Sequence, residues 1–235
     1  MKIESIASFY DMESPEATEF RRLYSNIKKS NNDQLKSVLV TSSTIEEGKS
    51  LISSFLAITM AEAKEGKVLL LDADLRRPMI NVLFKLPLEK GLSDILEKKC
   101  KVGKTIKDTS ISGLKIITAG RISESPTLIF NQENIRKVTE ELKFYFDFII
   151  IDAPPVIPVS DPLLIASEVD GVLLVIKAGT TKKEVVKRTT NLLINSNIKI
   201  LGAVINDFDS VLPFYYSSKY YGYKYYHKKA GGKGE

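Results

Sequence analysis

Three apolar runs in this chain end abruptly, one in a loop closing on Gly-Lys-Ser and two in aspartates, and that coincidence narrows the fold more than any other feature. The first is Val38-Leu39-Val40-Thr41, followed by Ser42-Ser43-Thr44-Ile45-Glu46-Glu47-Gly48-Lys49-Ser50 and then a helical pattern over 50–65. A strand, a loop closing on Gly-Lys-Ser and a helix make the setting of a phosphate-binding loop. Backbone N–H groups at the helix N-terminus surround the phosphates, Lys49 reaches the β- and γ-oxygens, and Ser50 ligates Mg2+. Ser43 stands where the standard spelling has its first glycine, and Glu46 and Glu47 place negative charge beside the phosphates unless both point outward. For this segment alone, an ordinary strand–turn–helix carrying Gly-Lys-Ser by chance is the alternative.

Two later runs weigh against chance. Val68-Leu69-Leu70-Leu71 ends in Asp72-Ala73-Asp74, and Phe146-Asp147-Phe148-Ile149-Ile150-Ile151 ends in Asp152, followed by Ala153-Pro154-Pro155. In open parallel sheets, ligands sit at the carboxyl ends of the strands. Solvated acids would explain each carboxylate singly but not all three at one edge. Mg2+ beside phosphates needs such hard oxygen ligands. The expectation is therefore a nucleoside triphosphate bound with Mg2+.

The rest of the chain alternates in the same way. β-rich runs at 37–41, 68–71, 114–118, 146–151, 171–177 and 198–205 are separated by helical patterns, clearest at 50–65, 133–143 and 182–195. That alternation predicts an α/β fold of the P-loop type, a mostly parallel sheet with helices on both faces. Residues 1–13 read as an extended lead, and Ser14-Pro15-Glu16 reads as the start of a helix whose stripe is Phe20, Leu23, Tyr24 and Ile27. The expected division is a domain over 1–209, with 1–34 as lead and helix, and a tail over 210–235.

Charge separates the same two parts. The chain carries 34 basic and 29 acidic residues. Residues 211–235 hold five lysines and one acid, a net +4, which leaves 29 basic and 28 acidic residues, or +1, for residues 1–210. One cysteine, Cys100, forms no internal disulfide, and no apolar run approaches the roughly 20 residues of a membrane helix. The acidic N-terminal stretch has no signal-like apolar core, so a reduced, intracellular protein is expected. Cys100 and His227 read as incidental, and the charges over 182–188 as a solvated helix face.

Tyr215, Tyr216, Tyr220, Tyr221, Tyr223, Tyr225 and Tyr226 are seven of the ten tyrosines, gathered into twelve residues of the tail. Together with Asp72-Ala73-Asp74-Leu75-Arg76-Arg77-Pro78, Ile150-Ile151-Asp152-Ala153-Pro154-Pro155-Val156, Gly91-Leu92-Ser93-Asp94-Ile95-Leu96, Ser160-Asp161 and Asp170-Gly171-Val172, they carry a resemblance. The chain resembles the bacterial tyrosine kinases of capsule and exopolysaccharide synthesis, in their stand-alone Gram-positive form. The resemblance implies an ATP-dependent autokinase acting on its own tyrosine cluster. It implies ATP contacts at Ser43, Glu46, Glu47, Gly48, Lys49, Ser50 and Leu51, an adenine contact at Asn206, and Mg2+ on Ser50, Asp74 and Asp152. It further implies catalysis by Lys49 and by Asp72, the latter taking the proton of the incoming tyrosine. Arg76 and Arg77 are candidates for phosphate or subunit contact, with plain solvation as the alternative.

The resemblance also implies a membrane adaptor that completes the site, a cognate tyrosine phosphatase, a homo-oligomeric ring, no nucleic-acid partner, and a cytoplasmic place at the inner face of the membrane. Two departures stand out. The family's N-terminal helix motif maps to Thr18, Arg21 and Tyr24, where only Arg21 keeps the pattern as an oligomer contact, with Glu19 and Arg22 one residue away. The loop has Ile45-Glu46 in place of Pro-Gly. The rival reading is an assembly-switch ATPase of the MinD/ParA type with the tail as an interaction segment. Thr44, where that type has a second lysine, speaks against it.

Overall fold

A computed structural model describes residues 5–29, 35–121 and 129–207. The seven tail tyrosines and His227 lie outside the described residues. Seven strands form one sheet in the order β3-β4-β2-β5-β1-β6-β7. They are β1 (Ser37–Ser42), β2 (Val68–Asp72), β3 (Lys107–Asp108), β4 (Leu114–Ile117), β5 (Phe148–Asp152), β6 (Gly171–Lys177) and β7 (Ile200–Asn206). All neighbours pair in parallel except β3 with β4. The helices are α1 (Pro15–Lys29), α2 (Lys49–Glu62), α3 (Ile80–Leu83), α4 (Leu92–Leu96), α5 (Gln132–Tyr145), α6 (Asp161–Ala166) and α7 (Lys183–Asn195).

The consecutive apolar positions of the central strands follow from burial on both faces. Leu39, Leu69, Leu71, Ile149, Ile151 and Val172 pack with Ile135, Val138 and Leu142 of α5, Ile165 of α6 and Leu193 of α7. Their neighbours Val38, Val40, Leu70, Ile150, Leu173 and Val175 pack with Ile27 of α1, Leu56 and Met60 of α2, and Ile80 of α3. Because side chains alternate across a strand, each strand feeds both layers. Helix α2 is buried nearly all round because it lies between the sheet and α1, where the Phe20 and Phe55 rings meet at 5.5 Å.

Helix α1 starts as its residues predict, with the Ser14 hydroxyl accepting the Ala17 N–H at 3.0 Å. The stretch before it is not extended throughout. A 3-10 turn at Ile6–Phe9 buries Ile6, and Tyr10 stacks near Phe55 while its hydroxyl bonds Thr59 at 2.8 Å. Ile6 and Tyr10 sit four residues apart, so one turn turns both toward α2. Strand β7 starts two residues later than its apolar run. Ile198 is instead pulled under α7 by the left-handed Asn197 and a hydrogen bond from its N–H to the Leu193 carbonyl. Edge strand β3 and helices α3, α4 and α6 are too short to show a period in sequence.

Gly91 illustrates how the short pieces are fixed. The N–H groups of Leu92 and Ser93 bond the carbonyls of Thr118 and Ala119, and a Cβ on Gly91 would lie 2.1 Å from the Thr118 carbonyl oxygen and 2.3 Å from the Gly120 nitrogen. Backbone cannot swing aside as a side-chain tip does. Gly91→Ala should therefore lower stability by about 1–3 kcal/mol, read as a reduced urea midpoint at unchanged slope.

Candidate functional site

The phosphate loop runs from the end of β1 into α2. Segment 153–157, after β5, is zipped to it: the Ala153, Val156 and Ile157 N–H groups bond the carbonyls of Val40, Ser42 and Ser43, and the Thr41 hydroxyl bonds the Pro154 carbonyl at 2.7 Å. Loop and carboxylate strand therefore move as one body. Gly48, at φ +90°, leads into α2; a Cβ there would lie 2.1 Å from the Asn206 amide nitrogen, and the left-handed backbone favours glycine on its own account.

Glu46 and Glu47 do not behave alike. Glu46 is exposed, at φ +61°, so the loop keeps a glycine-like turn with a side chain that resists it. Glu47 turns inward and is 1% exposed; one carboxylate oxygen accepts both the N–H (3.0 Å) and the hydroxyl (2.5 Å) of Thr44. The loop is thereby closed by its own acid, because Thr44 supplies two donors that a lysine at that position would replace with charge. Asn206, at the end of β7, donates from its amide nitrogen to the Glu47 carbonyl at 3.0 Å. It thus holds the loop, beyond the adenine contact inferred from the resemblance. Ser43 is fully buried with no partner for its hydroxyl, and Leu51 is exposed on the first turn of α2.

Asp152 is the electrostatic centre. It ends β5, paired in register with Asp72 of β2 and Val40 of β1, and has no exposed surface. Ser53 donates to its Oδ1 at 3.1 Å, and the neighbouring Ser50 hydroxyl and Lys49 ammonium lower its pKa. Burial outweighs these and raises the carboxyl to about 6, with the Asp74 charge adding in the same direction. Its Oδ2 is buried without a hydrogen-bond partner. A hard, anionic, unpartnered oxygen beside Lys49, Ser50 and Asp74 fits a divalent cation. Among the described residues no three acidic, histidine or cysteine side chains form a metal site unaided. That suits Mg2+, which takes one or two carboxylates and completes its shell with water and nucleotide oxygens.

Asp72 and Asp74 also shape the turn after β2. Asp72 accepts the N–H groups of Asp74 (3.1 Å), Met79 (3.2 Å) and Ile80 (3.1 Å), and Asp74 accepts those of Arg76 (3.3 Å) and Arg77 (2.9 Å). Burial, then the neighbouring Asp152, pushes the Asp72 carboxyl well above the usual range, against the pull of its backbone donors. Arg76 bonds Asp161 at 3.0 Å, an acid only 1% exposed at the start of α6. Ser53 and Asp161 escaped the sequence reading. Ser53 carried a signal in lying one helical turn past Lys49, whereas Asp161 had only the Ser-Asp pair.

Helix α1 is occupied within the chain. Arg21 donates to the Met12 carbonyl (2.6 Å) and the Thr18 hydroxyl (2.8 Å), Glu19 pairs with Arg22 (2.5 Å), and Glu65 accepts from both Tyr24 and Lys28 (2.5 Å each). Burial raises the Cys100 thiol, which leaves it a poor nucleophile, and the charges over 182–184 and 187–188 are exposed as expected. No described helix is long and apolar enough to cross a membrane.

A parallel sheet with a Gly-Lys-Ser loop on β1 and acids ending β2 and β5 is the design of a P-loop NTPase. A family model described as "ParA: NUBPL iron-transfer P-loop NTPase" matches residues 35–224. Among curated relatives, CapB of Staphylococcus aureus is 35% identical over 94% of this chain and 97% of its own length. The tyrosine-protein kinase YwqD of Bacillus subtilis is 31% identical over 86% and 85%, and the tyrosine-protein kinase CpsD of Streptococcus agalactiae 33% over 86% and 88%. The chimerical protein CapA2B2 superposes with a TM-score of 0.82 at 30% identity over 88% of this chain and 92% of that one. The kinase domain of Escherichia coli ETK follows at 0.76 and 28%, covering 83% and 78%. MinD of Pyrococcus furiosus, at 0.65 and 20% over 80% and 79%, shares the fold.

The chain belongs to the bacterial tyrosine-protein kinases built on the ParA-type P-loop fold. It is a protein-tyrosine kinase.

The raised Asp152 carboxyl has a consequence for pH. Between 3.8, its ordinary value, and about 6, the folded chain binds a proton that the unfolded chain has released, so stability falls as pH rises through that window. Lowering the pH from about 7 to about 5 should therefore contribute stability to the nucleotide-free chain through Asp152. Asp152→Asn should lose that contribution and also the Mg2+-dependent rise in melting temperature with ATP. Melting curves of both proteins across pH, with and without Mg-ATP, check the sign.

Proposed function

We propose that the chain is an Mg-ATP-dependent autokinase that phosphorylates its own C-terminal tyrosine cluster and thereby regulates capsular or exopolysaccharide synthesis and export. The observation that carries this reading is the convergence of Lys49, Ser50, Asp74 and the unpartnered Asp152 Oδ2 at the end of one sheet. Ser50, Asp152 and Asp74 would hold Mg2+, directly or through water, and the ion would neutralise charge on the β- and γ-phosphate oxygens. Lys49 binds the same oxygens, and the loop N–H groups orient the triphosphate.

In the transfer, the tyrosine oxygen bonds to the γ-phosphorus, the bond from that phosphorus to the β-bridging oxygen breaks, ADP leaves, and the phenolic proton passes to the Asp72 carboxylate. A raised carboxyl is the better base for a phenol of pKa near 10. Phosphoryl transfer depends mostly on positioning and charge, which these residues supply. Asp72 has no exposed surface in the described arrangement, so the acceptor reaches it only when segment 74–80, whose N–H groups it binds, moves aside.

Partners follow from the same reading: a membrane adaptor whose cytoplasmic end completes the nucleotide site and holds the kinase at the inner face of the membrane, a tyrosine phosphatase that resets it, and a ring of copies contacted through Arg21. To test the chemistry, incubate the full chain with Mg-ATP, alone and with the adaptor's cytoplasmic end, and map phosphate by mass spectrometry. Label on residues 215–226, lost by more than about tenfold in Lys49→Met, is the expected result. ATP hydrolysis without phosphotyrosine would favour the assembly-switch reading instead.

A further inference from the structure

Positive charge is concentrated at one edge of the sheet. Residues 85–121 carry nine basic and four acidic residues, a net +5, while the other residues up to 210 carry 20 basic and 24 acidic, a net −4. This segment holds β3, β4 and α4, the β3 edge of the sheet. Its acids are largely engaged: Asp94 is buried and accepts the Gly91 N–H at 3.0 Å, Glu97 pairs with Lys99 at 2.7 Å, and Asp108 pairs with Lys115. Glu89 is exposed.

Lys90, Lys98, Lys101 and Lys104 are exposed, and none forms an ion pair with a described residue. The half-buried Lys107 bonds the Lys90 carbonyl at 2.8 Å, and the charges of both lysines act on Cys100. The N–H of Lys104 bonds the Lys101 carbonyl at 3.0 Å, which folds that turn beside the same cysteine. Lys98 stands at φ +61° after α4, near Glu133, which has its own partner in Lys137. Gathering this much like charge at one exposed edge raises a positive potential that attracts anions.

We infer that this lysine edge is the docking surface for the phosphorylated form of the chain's own tail, residues 211–226. The inference rests on the reading of that tail as the phosphoacceptor. Unmodified, residues 211–235 carry +4 and are repelled by the edge. Each phosphate adds about −1.5 to −2, so seven would bring the tail to roughly −6 to −10. The same surface therefore rejects the substrate form and attracts the product form. A tethered segment also has an effective concentration of order millimolar, which favours it over free anions.

The distance is within reach. From β7 to β3 there are six strand spacings of about 4.8 Å, about 29 Å in all. Extended chain covers about 3.3 Å per residue, so about ten residues past Asn206 suffice and Tyr216 onward can arrive. The edge lies four spacings, about 19 Å, from β1, so a docked phosphotyrosine is withdrawn from the phosphate loop.

The test uses a labelled synthetic peptide of residues 211–228, with and without phosphotyrosine, titrated by anisotropy into the phosphatase-treated full chain. The phosphopeptide should bind, the unmodified peptide should not, and raising NaCl from about 50 to about 300 mM should weaken binding about tenfold. The exposed triple variant Lys98→Glu/Lys101→Glu/Lys104→Glu, with its melting curve unchanged, should bind at least tenfold more weakly. Equal binding by the variant, or by the unmodified peptide, overturns the proposal. So does equally tight variant-sensitive binding of phosphatidylglycerol vesicles or of a polyglutamate of matching charge, which would assign the edge to any anionic surface. Since the peptide's phosphates are synthetic, a chain that fails to label its own tail yet binds the peptide would sink the autokinase reading and leave the docking surface standing.

Discussion

A single buried carboxylate organises this molecule. Asp152 sits where β5 meets β1 and β2, and taking its charge out of water is costly unless something answers it. Ser50, Ser53 and Lys49 answer part of it, and all three come from the first turns of α2. The helix proposed to bind phosphate is thus also the helix that partners the acid proposed to face Mg2+. One Asp152 oxygen stays buried without a partner, at the place proposed for the cation and the triphosphate. Affinity and stability are linked through that atom, because whatever satisfies it binds only the folded state.

Around that centre the loops are held by acids used as backbone acceptors. Asp72 gathers three N–H groups, Asp74 two, Glu47 the donors of Thr44, and Asp94 the N–H of Gly91. Each replaces a stretch of regular secondary structure that the short segment cannot form alone. The cost is that motion in these loops must break several hydrogen bonds together. Segment 74–80 and the phosphate loop are therefore each tied together by several hydrogen bonds at once.

Much of this was legible in the residues themselves. The long periodic elements, β1, β2, β5, β6, α2, α5 and α7, follow from runs whose apolar spacing has one consistent reading. The convergence of Lys49, Ser50, Asp74 and Asp152 follows from strand ends and topology. What stayed hidden was short or tertiary: the 3-10 turn at Ile6–Phe9, the edge strand β3, and helices α3, α4 and α6. Their conformation is set by caps and contacts tens of residues away rather than by their own periodicity. The orientation of Glu47 was left open by the residues, since nothing in a sequence tells whether a loop acid faces solvent or its own backbone.

The order of residues alone determined that a phosphate loop and three strand-end carboxylates meet at one edge, because alternation along strands and the handedness of parallel crossovers leave them nowhere else to go. Only the folded chain decided how each carboxylate is used: Asp152 with an open oxygen, Asp72 closed over a turn, Asp161 joined to Arg76, Glu47 folded inward. Two of those choices join distant parts of the chain, Arg76 to Asp161 and Ser53 to Asp152, and two are turns within a few residues, Thr44 to Glu47 and Ile80 to Asp72; in both cases the donor reaches the acid only through the backbone path of the folded loop, which apolar spacing does not encode.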